Sequence, residues 1–444
     1  MDWIIGMVLV LGVMILVHEW GHFIMARLFG VRVDVFSIGF GPRLFGWKRG
    51  ATDYRISALP LGGYVRMAGQ DLSEVDSGKV APTGAPDELM SKPRWQRALI
   101  SFAGPAVNLV FPVFLLTCYY MVAGMPSAAF LSKPVQVAGV PANSQTTPPP
   151  LQPGDTVVAI NDVKNPTWEQ AEDQLRRNAT GGILKLEVEN NGVRRHVEIT
   201  VHPGEPIDRI FGYLPIPAVI GDTLPGAPAD RAGLREKDII RAVNGQKVEY
   251  WDQFKDYIRD SGGKPLQLDV ERNGQILHLT VTPKQGVTEA STNNYQIGVG
   301  PDPDITYQRM SFAASASAAT GRTFEMVQDT VGVVGKLFSG RVSVKQLQGA
   351  VGITRVAGEA VRKGPSAVIS VMVLISVNLG VLNLLPIPIL DGGNILLLAI
   401  EGLMRRDLSL TFKERFVQVG LVFLLVLFAY VMYNDVVRLL PSHS

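Results

Sequence analysis

The sequence predicts a polytopic α-helical membrane protein: four transmembrane helices, a membrane-embedded β-hairpin or sheet, and two inserted α+β domains. Three observations lead there. Apolar residues gather in blocks long enough to span a bilayer, a water-soluble stretch separates the second block from the third, and that stretch contains a repeat.

Of 444 residues, 47% are hydrophobic and 18% charged, and the mean hydropathy is +0.18. A soluble chain usually carries about a quarter charged residues. The blocks run from Ile4 to Val17 (extended by Phe23 to Phe29), Ala98 to Ala123, Ala367 to Leu403 and Phe416 to Met432. As a helix, each can cross a hydrocarbon core of roughly 30 Å. Residues 133–305 hold no such block and read as water-soluble.

Asp2 is the only charge before His18, and no small-residue cleavage site follows the first block, so it reads as a retained span rather than a signal peptide. Eleven Lys and Arg lie between Arg27 and Arg97, and Arg405, Arg406, Lys413 and Arg415 precede the fourth span. Both connections should therefore face the cytoplasm, with the termini and the insert outside. The net charge of +2 leaves no basic face for nucleic acid. Cys118, the single cysteine, can form no internal disulfide.

In the insert, Leu151, Asp155, Asn161 and Trp168 recur 83 positions later as Leu234, Asp238, Asn244 and Trp251. Gln170 and Asp173 recur as Gln253 and Asp256, and after a one-residue slip Asn191-Gly192 recurs as Asn273-Gly274. Each copy reads strand, turn, helix, strand, Asn-Gly hairpin, strand. A unit of this size can bury its own core. Ala232-Gly233-Leu234, Asp238-Ile239-Ile240 and Val243-Asn244-Gly245 resemble a bacterial PDZ domain; the first copy, with Pro148-Pro149-Pro150 before Leu151, is more degenerate. That likeness implies peptide or C-terminus capture at an open sheet edge and puts the carboxylate loop of the second copy at Phe211-Gly212-Tyr213. A spacer that excludes large substrates without binding peptide is the other reading.

Between the first two spans, Ser37 to Pro42 and Tyr54 to Leu59 read as paired strands joined by a turn at Lys48 to Ala51. Phe40, Leu44, Phe45 and Trp47 make the hairpin too apolar for a plain cytoplasmic loop. Re-entrant into the membrane, it could offer an edge to an unwound substrate; an interfacial anchor in lipid is the alternative. Phe324, Val327, Val331, Val334 and Phe338 form one face of a helix expected to rest on the membrane surface.

The boundaries expected are 1–30 for the first transmembrane helix, 31–95 for the re-entrant hairpin region and 96–126 for the second helix. The two exterior domains take 127–205 and 206–290, the strand and surface-helix region 291–364, and the third and fourth transmembrane helices 365–404 and 405–444.

His18-Glu19-Trp20-Gly21-His22 is the motif that carries chemistry. On a helix, a spacing of four puts both imidazoles on one face, as two zinc ligands require. Titratable groups inside an apolar helix are costly and mark function. A catalytic site needs a third protein ligand and an open position, and Asp391, deep in the third block, is the candidate. Two neutral His, one carboxylate, Zn2+ and an ionised Glu19 make a nearly neutral cluster, far cheaper to bury than any member alone. Pro386, Pro388, Gly392 and Gly393 break the helix around Asp391, aiming its carboxylate inward and freeing backbone groups for substrate. Glu19 is the candidate general base. Asn383 could donate to an oxyanion or a substrate backbone. Asn378 is a second amide candidate that could equally tie helices together.

A zinc that only staples spans usually has four protein ligands, and His196, His202 and His278 all fall in the insert. A PDZ-bearing scaffold with a structural or vestigial metal remains the competing expectation, with an intact Glu19 against it. A metal transporter is disfavoured because no pair of broken helices repeats.

Three groups of residues together resemble the site-2 protease family of intramembrane metalloproteases. They are His18-Glu19-x-x-His22 in the first span, Gly104-Pro105 with Asn108 in the second, and Asn383-x-x-Pro386-x-Pro388-x-x-Asp391-Gly392-Gly393 in the third. Gly39-Phe40-Gly41 and Leu61-Gly62-Gly63-Tyr64 look like the membrane-embedded hairpin and sheet of that family. The resemblance implies one zinc on His18, His22 and Asp391, Glu19 as base, and Asn383 near the scissile segment. It also implies single-span substrates, such as an anti-sigma factor or remnant signal peptides, cut after a first protease has trimmed them, with the PDZ pair as a size filter. The expected setting is a bacterial inner membrane. Asn394 stands where the family often has His, so a proton relay there is not expected.

Overall fold

The computed structural model describes residues 2–69, 84–139, 151–178, 180–203, 207–224, 226–286, 294–339 and 349–439. They form two compact units, residues 1–125 with 309–444, and residues 126–308.

Among the described residues of the first unit, four helices are long and apolar enough to cross a membrane: Gly6–Leu28, Arg94–Val122, Pro365–Asn383 and Thr411–Tyr433. In the third, the break expected around Asp391 is present: Pro365–Asn383 and Asp391–Met404 are separate helices joined by an irregular loop, so the span assigned to 365–404 ends at Asn383. Pro386 and Pro388 in that loop have no N–H for a helical bond. A Cβ on Gly392 would strike the Leu384 and Leu385 carbonyls, so the return of the chain onto itself requires glycine there. Ile389 takes φ +81°, a region a β-branched residue rarely occupies, so backbone strain sits two positions before Asp391.

Small residues let the helices approach closely. A Cβ on Gly21 would meet the Ala103 carbonyl of the second span, and one on Gly6 would lie 2.5 Å from the Ala357 oxygen of helix Ala350–Lys363. That last helix is not anticipated by the sequence reading.

Helix Phe312–Phe338 extends the expected surface helix toward its N-terminus, where the Ser311 hydroxyl caps it through Ala314 N at 3.4 Å. Its packed face is Ala319, Thr323 and Met326, with Ala319 and Met326 against Leu116, Tyr120 and Val373 of two spans. Of the apolar residues picked out by periodicity, Phe324 and Val331 point away, 61% and 54% exposed, while Val327 and Val334 are half-buried.

The hairpin becomes a folded sheet of two long strands, Val33–Arg49 and Thr52–Met67, around a turn at Gly50-Ala51. Residues 33–38 lie between 63–67 and 53–56, and 43–49 pair with 52–57. The strand folds back on itself at Gly39 and Gly41, both at positive φ (+91° and +86°). Leu44, Phe45 and Trp47 are exposed.

A buried charge cluster fixes the far end of the helix that begins at Asp391. Glu401, fully buried, accepts from Lys413 Nζ at 2.9 Å and Leu408 N at 3.0 Å and lies 3.5 Å from Arg97. Glu401→Ala leaves two cations facing a buried gap, and the expected loss is about 3–5 kcal/mol. Unfolding of the detergent-solubilised protein measures it; an unchanged midpoint would mean the cluster contributes nothing net.

In the second unit the repeat is visible as structure. The first copy orders its strands Val163–Lys164, Thr156–Ile160, Gly182–Asn190, Val193–Val201, with helix Trp168–Arg177. The second orders Gln246–Lys247, Ile239–Val243, Leu266–Arg272, Gln275–Val281, with helix Trp251–Asp260. Repeated residues repeat their roles. Asp155 and Asp238 are fully buried and accept from the backbone of Gln152 (2.7 Å) and Arg235 (2.8 Å), each with an arginine partner, Arg195 and Arg272. Asn161 and Asn244 sit at φ +49° and +51° and accept from Lys185 N and Gln267 N. Trp168 and Trp251 enter the two cores. The Pro148-Pro149-Pro150 feature lies outside the described residues.

One expectation is overturned here. Phe211-Gly212-Tyr213 belongs to the first copy, not the second. Phe211 is fully buried in the first core against Trp168, and Tyr213 N donates to Gly139 O at 2.8 Å. Burial and the neighbouring Asp256, which accepts from the Tyr213 hydroxyl at 3.0 Å, push that hydroxyl above its ordinary titration range. The corresponding place in the second copy is Ile297-Gly298-Val299, with Ile297 in the second core and Gly298 at φ +78°.

Candidate metal centre

The three candidate ligands come from two helices of the first unit. Helix Asp2–Leu28 presents His18 and His22 one turn apart, with ring centroids at 4.8 Å and the rings nearly perpendicular. The strained loop ends by placing Asp391 at the first position of helix Asp391–Met404. Its Oδ2 lies 3.2 Å from His18 Nε2 and 3.5 Å from His22 Nε2, while the two Nε2 atoms are 3.2 Å apart.

Those three atoms test whether zinc fits. Ligands of a tetrahedral zinc with bonds of about 2.0–2.1 Å stand roughly 3.3–3.4 Å apart, close to the triangle seen. The His22 Nδ1 proton is committed to the Ile100 carbonyl at 2.8 Å, so Nε2 of the neutral ring carries a lone pair. That lone pair faces a carboxylate oxygen. Acceptors converge in this way around a cation, and the centre is buried: both histidines expose less than a tenth of their surface. The residues fit the metal.

Around the triad, Asn383 Nδ2 lies 3.4 Å from His18 Nε2. Glu19 is near enough to both histidines and Asp391 to interact with them electrostatically. The sheet comes alongside: a Cβ on Gly63 would fall 3.2 Å from Glu19 Cγ. Next to Gly63, the Phe40 ring occupies the space a Gly62 side chain would need and stacks on Tyr64 at 6.0 Å. Pro386 is exposed on the loop before Asp391. Asn378 is engaged elsewhere. Its Oδ1 accepts from Thr330 Oγ1 at 2.8 Å, a tie between the third span and helix Phe312–Phe338.

Residues 6–427, which include the triad and Glu19, match peptidase family M50. The chain belongs to that family. It is 33% identical to the regulator of sigma-E protease RseP of Escherichia coli strain K12, over 97% of this chain and 98% of that one. It is 32% identical to the protein of the same name from Salmonella typhimurium, with the same coverage. A relative from Neisseria meningitidis, whose name includes "zinc metalloprotease", is 30% identical over 96% of this chain and 97% of its own. As an M50 member the protein is a metalloprotease of the site-2 type, and the four apolar helices accord with a membrane protease.

Two residues of the second-span motif lie at the site, although their residue types alone give them no role there. Gly104 of the second span lies against the ligands: a Cβ there would strike His22 Nε2 and come within 2.9 Å of His18 Cε1. Asn108, fully buried one turn further on, places Nδ2 3.1 Å from His18 Nδ1. The available signal was a lone amide and a glycine in an apolar block.

Proposed function

We propose that the protein is a zinc-dependent intramembrane endopeptidase that cuts single-span membrane proteins. The observation that carries this reading is the His18, His22, Asp391 triangle, buried within apolar helices beside Glu19. Zinc held there supplies Lewis-acid polarisation of a peptide carbonyl and acidifies a water. Glu19 accepts the proton of the attacking water on its carboxylate and delivers it to the departing amine nitrogen. Asn383, through Nδ2, donates to the carbonyl oxygen as negative charge develops. On this reading the sheet beside Glu19 offers an edge to an unwound substrate strand, with Gly39, Phe40 and Gly41 shaping the sheet and Pro386 at the loop.

The similarity to the sigma-E regulators supports a substrate of the anti-sigma-factor kind, with remnant signal peptides as a second class, in a bacterial inner membrane. On the PDZ reading, the second unit stands outside and screens untrimmed substrates. Its second copy has a groove of about 440 Å³ between helix Trp251–Asp260 and residues 294–300, which we read as a place for a peptide terminus.

The test is cleavage, by purified protein in detergent, of a single-span substrate trimmed on its exterior side, with the cut mapped by mass spectrometry. The expected cut lies within the span, stops with a zinc chelator and returns with zinc. Cleavage that survives complete metal removal overturns the zinc mechanism, and a protein that holds zinc and cuts nothing returns the scaffold reading.

A further inference from the structure

We propose that Asn108 is the positioning residue for the metal ligand His18, its side-chain oxygen accepting the Nδ1 proton and fixing the imidazole with Nε2 toward zinc. The inference rests on the metal-centre reading above and concerns a residue to which that reading gives no task.

Asn108 stands on the second span and is fully buried, and two of its groups have separate employments. Its backbone carbonyl accepts from the Ser376 hydroxyl at 2.7 Å, which ties the second span to the third. Its side chain faces His18. Its Nδ2 meets His18 Nδ1 at 3.1 Å, while Oδ1 is buried with no hydrogen-bond partner among the described residues. Both facts have one resolution. The oxygen and nitrogen of an amide are nearly indistinguishable in shape and are assigned from the hydrogen bonds they make. Neutral His18, offering Nε2 to a metal, must carry its hydrogen on Nδ1 and needs an acceptor there. Turning the amide over supplies the acceptor at the same distance and moves the amide nitrogen to the position the oxygen held.

The two histidines are then held by different devices. His22 donates from Nδ1 to the Ile100 carbonyl at 2.8 Å, a backbone group that no substitution of side chains removes. His18 donates to a side chain, so its orientation is open to mutation. Such outer partners fix tautomer and ring plane, and losing one typically weakens metal binding about 10- to 100-fold.

The variants are Asn108→Leu, similar in volume with no acceptor, and Asn108→Asp, which keeps an acceptor in place. Zinc affinity of the purified full-length protein in detergent is measured by chelator competition. The d–d absorption of the cobalt-substituted protein reports ligand geometry, and thermal unfolding of the metal-free protein reports packing. Asn108→Leu is expected to lose about 10- to 100-fold in zinc affinity and to shift the cobalt bands. Asn108→Asp is expected to hold zinc at least as tightly as wild type, with wild-type cobalt bands. Wild-type affinity in Asn108→Leu overturns the proposal. So does equal zinc loss in both variants that tracks a lower unfolding temperature of the metal-free protein, since that makes Asn108 a packing residue. If wild type binds no zinc, the metal-centre reading itself has failed, a result distinct from either.

Discussion

Glu19→Gln is expected to keep its zinc and lose turnover by roughly 100- to 10,000-fold, the range for removing a general base. Glutamine matches glutamate in length and volume, so His18 and His22 on either side keep their places on helix Asp2–Leu28. The metal ligands stay at their mutual 3.2 to 3.5 Å. What the amide cannot do is accept a proton. Since Glu19 acts on the reacting water, the loss belongs in kcat, with KM little changed. Zinc content measured on the same samples separates this from metal loss. A Glu19→Gln protein that still cuts at a rate near wild type would remove Glu19 from the mechanism.

The metal centre was legible because lipid makes it so. His18, Glu19, His22 and Asp391 interrupt apolar helices where an isolated charge is expensive, so a shared reason for their presence stands out at the level of residue types. The repeat was legible for a different reason: Asn161, Asn244, Asp155 and Asp238 hold turns that few other residues can hold. The PDZ likeness misled at Phe211: it put Phe211-Gly212-Tyr213 in the second copy, whereas Phe211 packs in the first core and Ile297-Gly298-Val299 holds that place in the second.

Periodicity also found helix Phe312–Phe338 but not its buried side. In water an apolar stripe turns inward. Beside lipid it can turn outward, and Phe324 and Val331 do, leaving Ala319 and Thr323 to pack. Small residues carry the close helix crossings, and a hydrophobicity scan assigns them little weight. The partners of Asn108 lie 90 and 268 positions away, pairings no local pattern encodes. Glu401, in the same apolar block as Asp391, was likewise passed over; its partners Arg97 and Lys413 come from two other helices.

Gly104→Ala is expected to weaken zinc binding on the order of 100-fold or more, at the upper end of what disturbing a ligand's surroundings does. A methyl at this position would occupy space held by His22 Nε2, the atom that faces the metal, and crowd Cε1 of His18 at 2.9 Å. A flexible side chain could swing aside. His22 cannot do so freely, because Nδ1 is bound to the Ile100 carbonyl on the same helix that carries Gly104. Nor can the helices part cheaply, since Gly21 sits on the Ala103 carbonyl with no space for even a methyl. The clash must therefore be taken up by moving the ligand. Gly12→Ala is the control: it lies on the first span with no atom of the described residues within 4 Å of its added Cβ, and it should hold zinc as wild type does. Gly21→Ala distinguishes the two causes, because it forces the helices apart without touching a ligand. It should lower stability together with zinc affinity, whereas Gly104→Ala should lower affinity with the smaller change in unfolding of the metal-free protein. Zinc retained by Gly104→Ala through dialysis against a chelator, at the level of Gly12→Ala, would show that His22 has another rotamer available and that the glycine serves helix packing alone.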